Sequence, residues 1–128
     1  MRKVCILIAE DHPDTRMLLH YVLVGEGFEV TDAEDGAAAL QALSHTHPDI
    51  LLTDLMMPQI DGVELIRRVR AQNEFADLPI VAMSAYGHDH LTKASVNGAT
   101  AIIRKPLDME DLVDTINRLL PEQGKIWH

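Results

Sequence analysis

Four short apolar runs in this chain each end at a residue that can do chemistry. The residues at these ends are Glu10 with Asp11, Asp54, Ser84 and Lys105. If the runs are parallel strands of one sheet, all of these side chains lie at its carboxyl edge, which is where ligands bind in open α/β sheets. Three carboxylates, a hydroxyl and an ammonium group gathered at one edge suit a divalent cation and a phosphoryl group.

Asp54 is placed to act as a nucleophile toward phosphorus, which would give an aspartyl phosphate. Mg²⁺ prefers oxygen ligands, and the neighbouring carboxylates of Glu10 and Asp11 can supply them. The ammonium group of Lys105 can pair with one phosphoryl oxygen while the Ser84 hydroxyl bonds another. Taken singly, each residue is more often a cap, turn or strand-end residue. The convergence of four strand ends is what favours a site.

The elements that must position these residues alternate along the chain. Strands are predicted at Val4–Ala9, Phe28–Ala33, Ile50–Thr53, Ile80–Met83 and Ala101–Arg104. Four of them are nearly continuous apolar runs, which is typical of strands buried on both faces of a parallel sheet. The second strand alternates apolar and polar residues, and this pattern predicts an edge strand.

Helical patterns follow the strands. They run from Pro13 to Val24, from Gly36 to Leu43, from Val63 to Val69, from His88 to Asn97 and from Leu112 to Leu120. The alternation of strands and helices predicts a doubly wound α/β fold, in which right-handed crossovers place helices on both faces.

Two of these helices carry more detailed predictions. The apolar groups of the first helix are Met17, Leu18, Tyr21 and Val22, and Gly25 is expected to end it in the left-handed conformation. In the third helix the apolar residues recur at every third position. Three arginines are predicted to lie on its opposite side, namely Arg67, Arg68 and Arg70.

The bulk composition indicates one globular domain. A chain of 128 residues with 47% apolar side chains can form a single core, which we assign to residues 1–121 with a short C-terminal tail at 122–128. This tail carries Trp127. The 11 basic and 20 acidic side chains give a net charge of −9, which argues against direct nucleic-acid binding.

The location of the protein is predicted from cysteine usage and apolar patterning. One cysteine, Cys5, excludes an intramolecular disulfide and favours a reducing compartment. The apolar run after Arg2 and Lys3 is too short for a signal peptide, and no stretch approaches the ~20 apolar residues of a membrane span. We therefore predict a cytoplasmic protein with no membrane segment.

Five motifs, in this order, resemble those of the receiver domain of two-component response regulators. The motifs are Glu10-Asp11, Asp54 with Met57-Pro58, Asp61-Gly62, Ser84-Ala85 and Lys105-Pro106. The resemblance covers nearly the whole chain, from about Lys3 to Leu120, and is nearest to single-domain, chemotaxis-type receivers. It implies a flavodoxin-like (βα)₅ fold whose five-stranded parallel sheet has the order 2-1-3-4-5.

The resemblance also implies roles for these residues in a phosphorelay. Asp54 would accept phosphate from a histidine kinase or a histidine phosphotransfer protein. Ser84 would be the switch hydroxyl, Lys105 would pair with the phosphate, and Gly62 would terminate the loop after the phosphorylation site. The implied ligands of Mg²⁺ or Mn²⁺ are Glu10, Asp11, Asp54 and the Met56 carbonyl. The chain would catalyse only its own phosphorylation and dephosphorylation.

One position departs from the family pattern. Receivers usually carry Tyr or Phe three residues before the lysine, and here that residue is Ile102. Isoleucine is stiff at χ1 and has no polar tip, which puts aromatic–hydroxyl switching in doubt. Tyr86 is the nearby aromatic residue, with either a gating or a packing role. Tyr86 and Met56 flank the site in this family, and this bulky pair predicts restricted water access and slow loss of phosphate.

The expected output is a protein contact on the face formed by residues 88–120, with the chain a monomer or weak dimer. The chain is either a stand-alone domain or one receiver of a larger regulator or hybrid kinase. The alternative is a pseudo-receiver, an unphosphorylated binding module, although its usual losses in the acidic pair, the aspartate or the lysine are not seen. A haloacid dehalogenase-type phosphatase would need a second aspartate at Met56. A flavodoxin-like nucleotide carrier is disfavoured by Asp11 and Asp14, which would repel phosphate.

Overall fold

A computed structural model describes residues 2–85 and 88–120, with the side chains of residues 88–91 excepted. The strands are β1 (Cys5–Ala9), β2 (Glu29–Ala33), β3 (Ile50–Asp54), β4 (Ile80–Ser84) and β5 (Ala101–Arg104). The helices are α1 (Pro13–Gly25), α2 (Gly36–Thr46), α3 (Gly62–Arg70), α4 (His88–Asn97) and α5 (Met109–Leu119), and a short 3₁₀ turn spans Asn73–Phe75. These elements confirm the predicted alternation, and the predicted strand ends lie within one residue of the observed ones.

The five strands form one parallel sheet in the order β2-β1-β3-β4-β5, which confirms the predicted topology. β2 lies at an edge, as its alternating sequence predicted. The register pairs Ala9 with both Ala33 and Thr53, and it pairs Asp54 with Met83. The carboxyl ends of the three central strands therefore lie side by side.

Helices cover both faces of the sheet and divide the core in two. One cluster packs α1 and α5 against the sheet, and it includes Leu19, Leu23 and Ile116. The other packs α2, α3 and α4 on the opposite face, and it includes Leu43 and Leu65. Because both faces are covered, every residue of β3 is buried, which explains its continuous apolar run.

The buried face of α1 differs from its predicted apolar set. Leu19 and Leu23 are buried, whereas Met17, Leu18 and Tyr21 are about half exposed or more. The helix carries apolar residues on more than one side, so residue type alone did not identify the core face. Spacing of four between the two buried leucines is what places them on one stripe.

The expectation that Gly25 ends α1 in a left-handed conformation is wrong, because Gly25 belongs to the helix and the positive φ of 96° falls at Gly27. The N–H of Gly27 donates to the Val24 carbonyl at 3.0 Å, and that of Phe28 donates to the Leu23 carbonyl at 3.1 Å. This is a Schellman motif, in which an apolar residue after the glycine packs back on the helix. Phe28 and Leu23 belong to the same core cluster.

The prediction that Arg70 lies on the solvent side of α3 with Arg67 and Arg68 is also wrong. Arg67 and Arg68 are exposed and pair with Glu64 at 2.6 and 2.7 Å. The side chain of Arg70 is half-buried and turns toward the segments that precede β4 and β5, where it donates hydrogen bonds to main-chain carbonyls. Arg70 is therefore part of the packing between α3, β4 and α4.

Among the helices that the structure describes, none combines the length and apolar character needed to cross a membrane.

Candidate functional site

Hydrogen bonds continue past the strands and fix the backbone of the residues at the carboxyl edge. The bonds run from the Glu10 N–H to the Ala33 carbonyl (3.1 Å), from the Leu55 N–H to the Met83 carbonyl (3.0 Å) and from the Lys105 N–H to the Ser84 carbonyl (2.9 Å). Because these bonds extend the sheet ladders by one step, the side chains at the strand ends project from a fixed frame.

The structure brings the three predicted carboxylates together. One carboxylate oxygen from each of Glu10, Asp11 and Asp54 lies within 4.8 Å of the others. Glu10 is fully buried and Asp54 nearly so, whereas Asp11 is exposed. The cluster is thus open to solvent on the side of Asp11, which leaves a path for an ion.

Lys105 lies against the two buried carboxylates. Its ammonium group donates to Asp54 Oδ2 at 2.7 Å and to Glu10 Oε1 at 3.2 Å. The contact joins the end of β5 to the ends of β1 and β3. The predicted convergence of the lysine and the acidic residues is therefore present in the structure.

The charges of the cluster shift the pKa values of its members. Burial, followed by repulsion from Asp54, raises the pKa of Glu10 to about 7. Contacts with the His12 N–H and Lys105 act in the opposite direction but do not cancel this shift. For Lys105, burial lowers the pKa, but the hydrogen bond to Asp54 and the attraction of both carboxylates outweigh it and the net pKa is raised. Lys105 is therefore charged at neutral pH.

The residues fit a divalent metal ion. With all three carboxylates ionised, Lys105 offsets one negative charge and leaves an excess that a divalent cation would neutralise. The donors are carboxylate oxygens, which are the ligands preferred by Mg²⁺ and Mn²⁺. The elevated pKa of Glu10 has the same origin, since a buried carboxylate without enough positive charge around it holds its proton.

Backbone donors orient the two buried carboxylates. The Met56 N–H donates to Asp54 Oδ1 at 3.1 Å, and the His12 N–H donates to Glu10 Oε2 at 3.2 Å. The second oxygen of each carboxylate faces Lys105. Both carboxyl groups are thus fixed in rotation by one main-chain and one side-chain donor.

The Asp61-Gly62 motif closes the loop that follows Asp54. Asp61 caps α3, because its side chain accepts the Glu64 N–H at 2.9 Å. The Gly62 N–H donates to the Leu55 carbonyl at 2.9 Å, and a Cβ on Gly62 would collide with the Asp54 carbonyl and with Leu55 Cα. Only glycine permits this approach, so Gly62 holds the loop against the end of β3.

The remaining predicted residues are placed less directly. Ser84 is buried at the end of β4, one residue beyond the Met83 that pairs with Asp54. Met56 is 42% exposed beside the site. Ile102 of β5 pairs with Ala82 of β4 and is partly buried against the core cluster on the side of α2, α3 and α4. Tyr86 lies outside the described residues.

Arg16 is a contact of the site that the sequence analysis missed. Its guanidinium donates from Nη1 to the Glu10 carbonyl at 2.8 Å. The usable signal was its position in the first turn of the helix that directly follows the acidic pair. A long cationic side chain there can fold back onto the strand end.

Comparison with known proteins identifies the family of this chain. Residues 6–117 match the family described as the response regulator receiver domain. The chain belongs to this family. Receiver domains are phosphorylatable modules of histidine kinases and response regulators in two-component signalling, and they generally bind a divalent metal.

Individual relatives of this receiver domain cover nearly all of its length. It is 32% identical over 117 residues to sporulation initiation phosphotransferase F of Bacillus subtilis, with 91% of this chain and 93% of that protein aligned. It is 39% identical over 118 residues to the sensor protein EvgS of Escherichia coli O157:H7, with 91% of this chain aligned. The match spans only 10% of that much longer sensor protein.

A solved structure supports the assignment of the chain to the receiver-domain family. The receiver domain of the sensor histidine kinase PA1611 from Pseudomonas aeruginosa superimposes with a TM-score of 0.86 at 26% identity, covering 92% of this receiver domain and 98% of that one. That structure holds a magnesium ion coordinated in its active site cleft.

Proposed function

We propose that Asp54 is the phosphoacceptor of this receiver domain and that Glu10, Asp11, Asp54 and the Met56 carbonyl bind Mg²⁺ or Mn²⁺. The observation that carries the proposal is the cluster of three carboxylates within 4.8 Å of one another, with Lys105 bonded to two of them. A bound divalent cation would supply positive charge to the carboxylate and to the incoming phosphoryl oxygens.

The chain's own residues would position the transfer. An Asp54 carboxylate oxygen attacks phosphorus, the new O–P bond forms and the N–P bond of a phosphohistidine breaks. The imidazole leaves with the electron pair of that bond. The Met56 N–H holds Oδ1 of Asp54, so the carboxylate keeps its orientation while Lys105 moves from Oδ2 to a phosphoryl oxygen. Positioning and charge compensation of this kind are what phosphoryl transfer requires.

The donor would be a histidine kinase or a histidine phosphotransfer protein, and the chain would modify only its own aspartate. Ser84 and Lys105 directly precede the segments that lead into α4 and α5, and the Lys105 N–H donates to the Ser84 carbonyl at 2.9 Å. A change of contacts at the phosphoryl group would thus pass to α4, β5 and α5. We assign the output surface to this face, residues 88–120, with a protein as the partner and the chain as a monomer or weak dimer.

Ile102 and Met56 define how this receiver would differ from relatives with an aromatic switch. Ile102 is partly buried against the core cluster and is not aromatic, so the Ser84 hydroxyl would report phosphorylation without an aromatic rotamer change at position 102. The exposed Met56 side chain beside Asp54 would limit access of water and slow hydrolysis. A faster loss of phosphate in Met56→Ala than in the wild type, followed by intact mass over time, is the expected result.

Incubation with Mg²⁺ and acetyl phosphate, followed by intact mass spectrometry, tests the phosphoacceptor. One added phosphoryl group is expected in the wild type and in Asp114→Asn, which removes an exposed carboxylate on α5. None is expected in Asp54→Asn or when a chelator removes Mg²⁺. A full gain of mass in Asp54→Asn would reject Asp54 as the acceptor. No gain in any protein would favour the unphosphorylated binding module.

Mg²⁺ should also stabilise the fold, because it binds the native cluster and not the unfolded chain. A concentration ten times the dissociation constant adds about 1.4 kcal/mol, or roughly 3–6 °C in the melting temperature for a domain of this size. Asp11→Asn should abolish most of this gain with little effect on the metal-free protein, since Asp11 is exposed. Thermal melts with Mg²⁺ and with EDTA measure both quantities, and an unchanged wild-type melt would contradict the metal site.

A further inference from the structure

The main chain of Glu10 is held at both of its polar groups by residues outside the acidic cluster. Its N–H donates to the Ala33 carbonyl at 3.1 Å, and its carbonyl accepts from Nη1 of Arg16 at 2.8 Å. That carbonyl belongs to the peptide unit joining Glu10 to Asp11. The direction of this peptide unit decides where the two side chains leave the backbone.

Arg16 reaches this carbonyl from the first turn of α1. Its own N–H donates to the His12 carbonyl at 3.0 Å, which fixes the backbone at position 16. The side chain is half-buried, and no side-chain oxygen or nitrogen of His12 caps the start of the helix. The Arg16 guanidinium therefore ties the start of α1 back to the end of β1.

We propose that Arg16 is a positioning residue for the divalent cation, which it serves by orienting the peptide unit that carries the Glu10 and Asp11 carboxylates. This inference rests on the proposed metal site. The hydrogen bond of the guanidinium goes to the main-chain carbonyl of Glu10, so it fixes the acidic pair without occupying a carboxylate oxygen. Outer-shell groups that orient metal ligands act in this manner.

The sign of the effect separates positioning from a simple charge effect. Arg16 carries a positive charge near a site for another cation. If its charge alone mattered, its removal would strengthen Mg²⁺ binding by relieving repulsion. If its hydrogen bond orients the ligands, its removal weakens Mg²⁺ binding, by about tenfold or more for an outer-shell contact.

Isothermal titration calorimetry with MgCl₂ tests this on the full chain. Arg16→Met removes the donors and the charge while keeping an apolar stem, and Arg118→Met removes an equal charge from an exposed position on α5. We expect at least about tenfold weaker Mg²⁺ binding in Arg16→Met and wild-type affinity in Arg118→Met.

Equal or tighter Mg²⁺ binding in Arg16→Met, beside normal binding in the wild type, would overturn the inference and leave the proposed function intact. Absence of Mg²⁺ binding in the wild type would overturn both. Arg16→Lys keeps the charge but not the planar group of donors, so any loss of affinity it shows arises from geometry. If a thermal melt in EDTA shows that Arg16→Met is unfolded, Arg16→Lys is used in its place. Wild-type Mg²⁺ affinity in Arg16→Lys would then overturn the inference.

Discussion

The two edges of the sheet differ in how far their charged groups are compensated by other groups of the chain. At the carboxyl edge, Glu10 and Asp54 lie buried with Lys105 as their shared cationic partner. At the amino edge, before the strands begin, Arg70 and Asp49 are half-buried. The charged groups at the amino edge are matched within the chain, whereas negative charge remains in excess at the carboxyl edge.

At the amino edge, the cationic side chain of Arg70 is stabilised by hydrogen bonds to main-chain carbonyls. Its guanidinium donates to the carbonyls of Phe75 at 3.0 Å, Leu78 at 2.6 Å and Gly98 at 2.7 Å. Gly98 has a φ of 116°, and a Cβ there would lie 2.8 Å from Nε of Arg70, so glycine allows the approach. Burial lowers the pKa of Arg70, but arginine stays charged at neutral pH. Main-chain dipoles thus replace its water.

The carboxylates of Asp49 and Glu10 have pKa values shifted in opposite directions. The hydrogen bond from Arg2 is the main reason that the pKa of Asp49 is lowered, against the effect of burial, and the Cys5 N–H adds to it. The pKa of Glu10 is raised to about 7. The same chemical group is therefore stabilised as an anion at one edge and destabilised at the other. The charged groups of the amino edge stabilise the fold, whereas the carboxyl edge retains an excess of negative charge that a bound cation would neutralise.

Arg70→Met is the most disruptive test of this contrast. It leaves the carbonyls of three residues, in the two segments that precede β4 and β5, without their donor, and we expect a loss of about 2–4 kcal/mol in the free energy of unfolding. Urea titration at pH 7 measures it. Arg118→Met, at an exposed position, should cost less than about 0.5 kcal/mol. Equal costs for the two variants would remove the contrast between the edges.

The pH dependence of the metal-free protein gives an effect of intermediate size. Because the pKa of Glu10 is higher in the folded than in the unfolded state, the native protein binds more protons between about pH 4.5 and 7. Its contribution to stability is therefore greatest at low pH and falls by about 1–3 kcal/mol as the pH rises through 7.

Glu10→Gln isolates this effect from the other titrating groups. Wild type and variant share the same seven histidines, so the difference between their unfolding free energies in EDTA reports Glu10. We expect the wild type to lose stability relative to the variant from pH 5 to pH 8. A difference that does not change with pH would show that Glu10 titrates normally.

Asp49→Asn should give the smallest effect and the opposite sign with pH. A lowered folded-state pKa stabilises the fold above the unfolded value, and this stabilisation is lost as the pH falls through the folded one. Arg2 is largely exposed, so solvent screening limits the loss in Asp49→Asn at pH 7 to about 0.5–1 kcal/mol. In urea titrations the loss should shrink as the pH is lowered below the ordinary value of 3.8, and a loss that stays constant with falling pH would assign it to packing.

The fold and the carboxylate cluster were predictable because both follow from where apolar runs stop. A buried parallel strand must be apolar throughout, so its first charged residue marks the carboxyl edge. Asp54 and Lys105 could thus be placed together although they are far apart in sequence. The family resemblance added their roles, which spacing alone left open.

Other features depend on tertiary contacts or on signals that were not used. Arg70 occupies a helix position compatible with solvent, and its partner Gly98 lies 28 residues away, so the pattern of α3 could not reveal the contact. The end of α1 was decidable, since Phe28 after Gly27 can pack back on the helix while Glu26 after Gly25 cannot.

β3 is buried at every residue and hydrogen-bonded to a neighbour on each side. Its amide hydrogens are therefore expected to exchange with deuterium only when the whole domain unfolds. Asp54 stands at the end of this strand. An acyl phosphate formed there would be attached to the most stable part of the backbone. Any movement on phosphorylation is therefore expected in the surrounding loops and not in the strand.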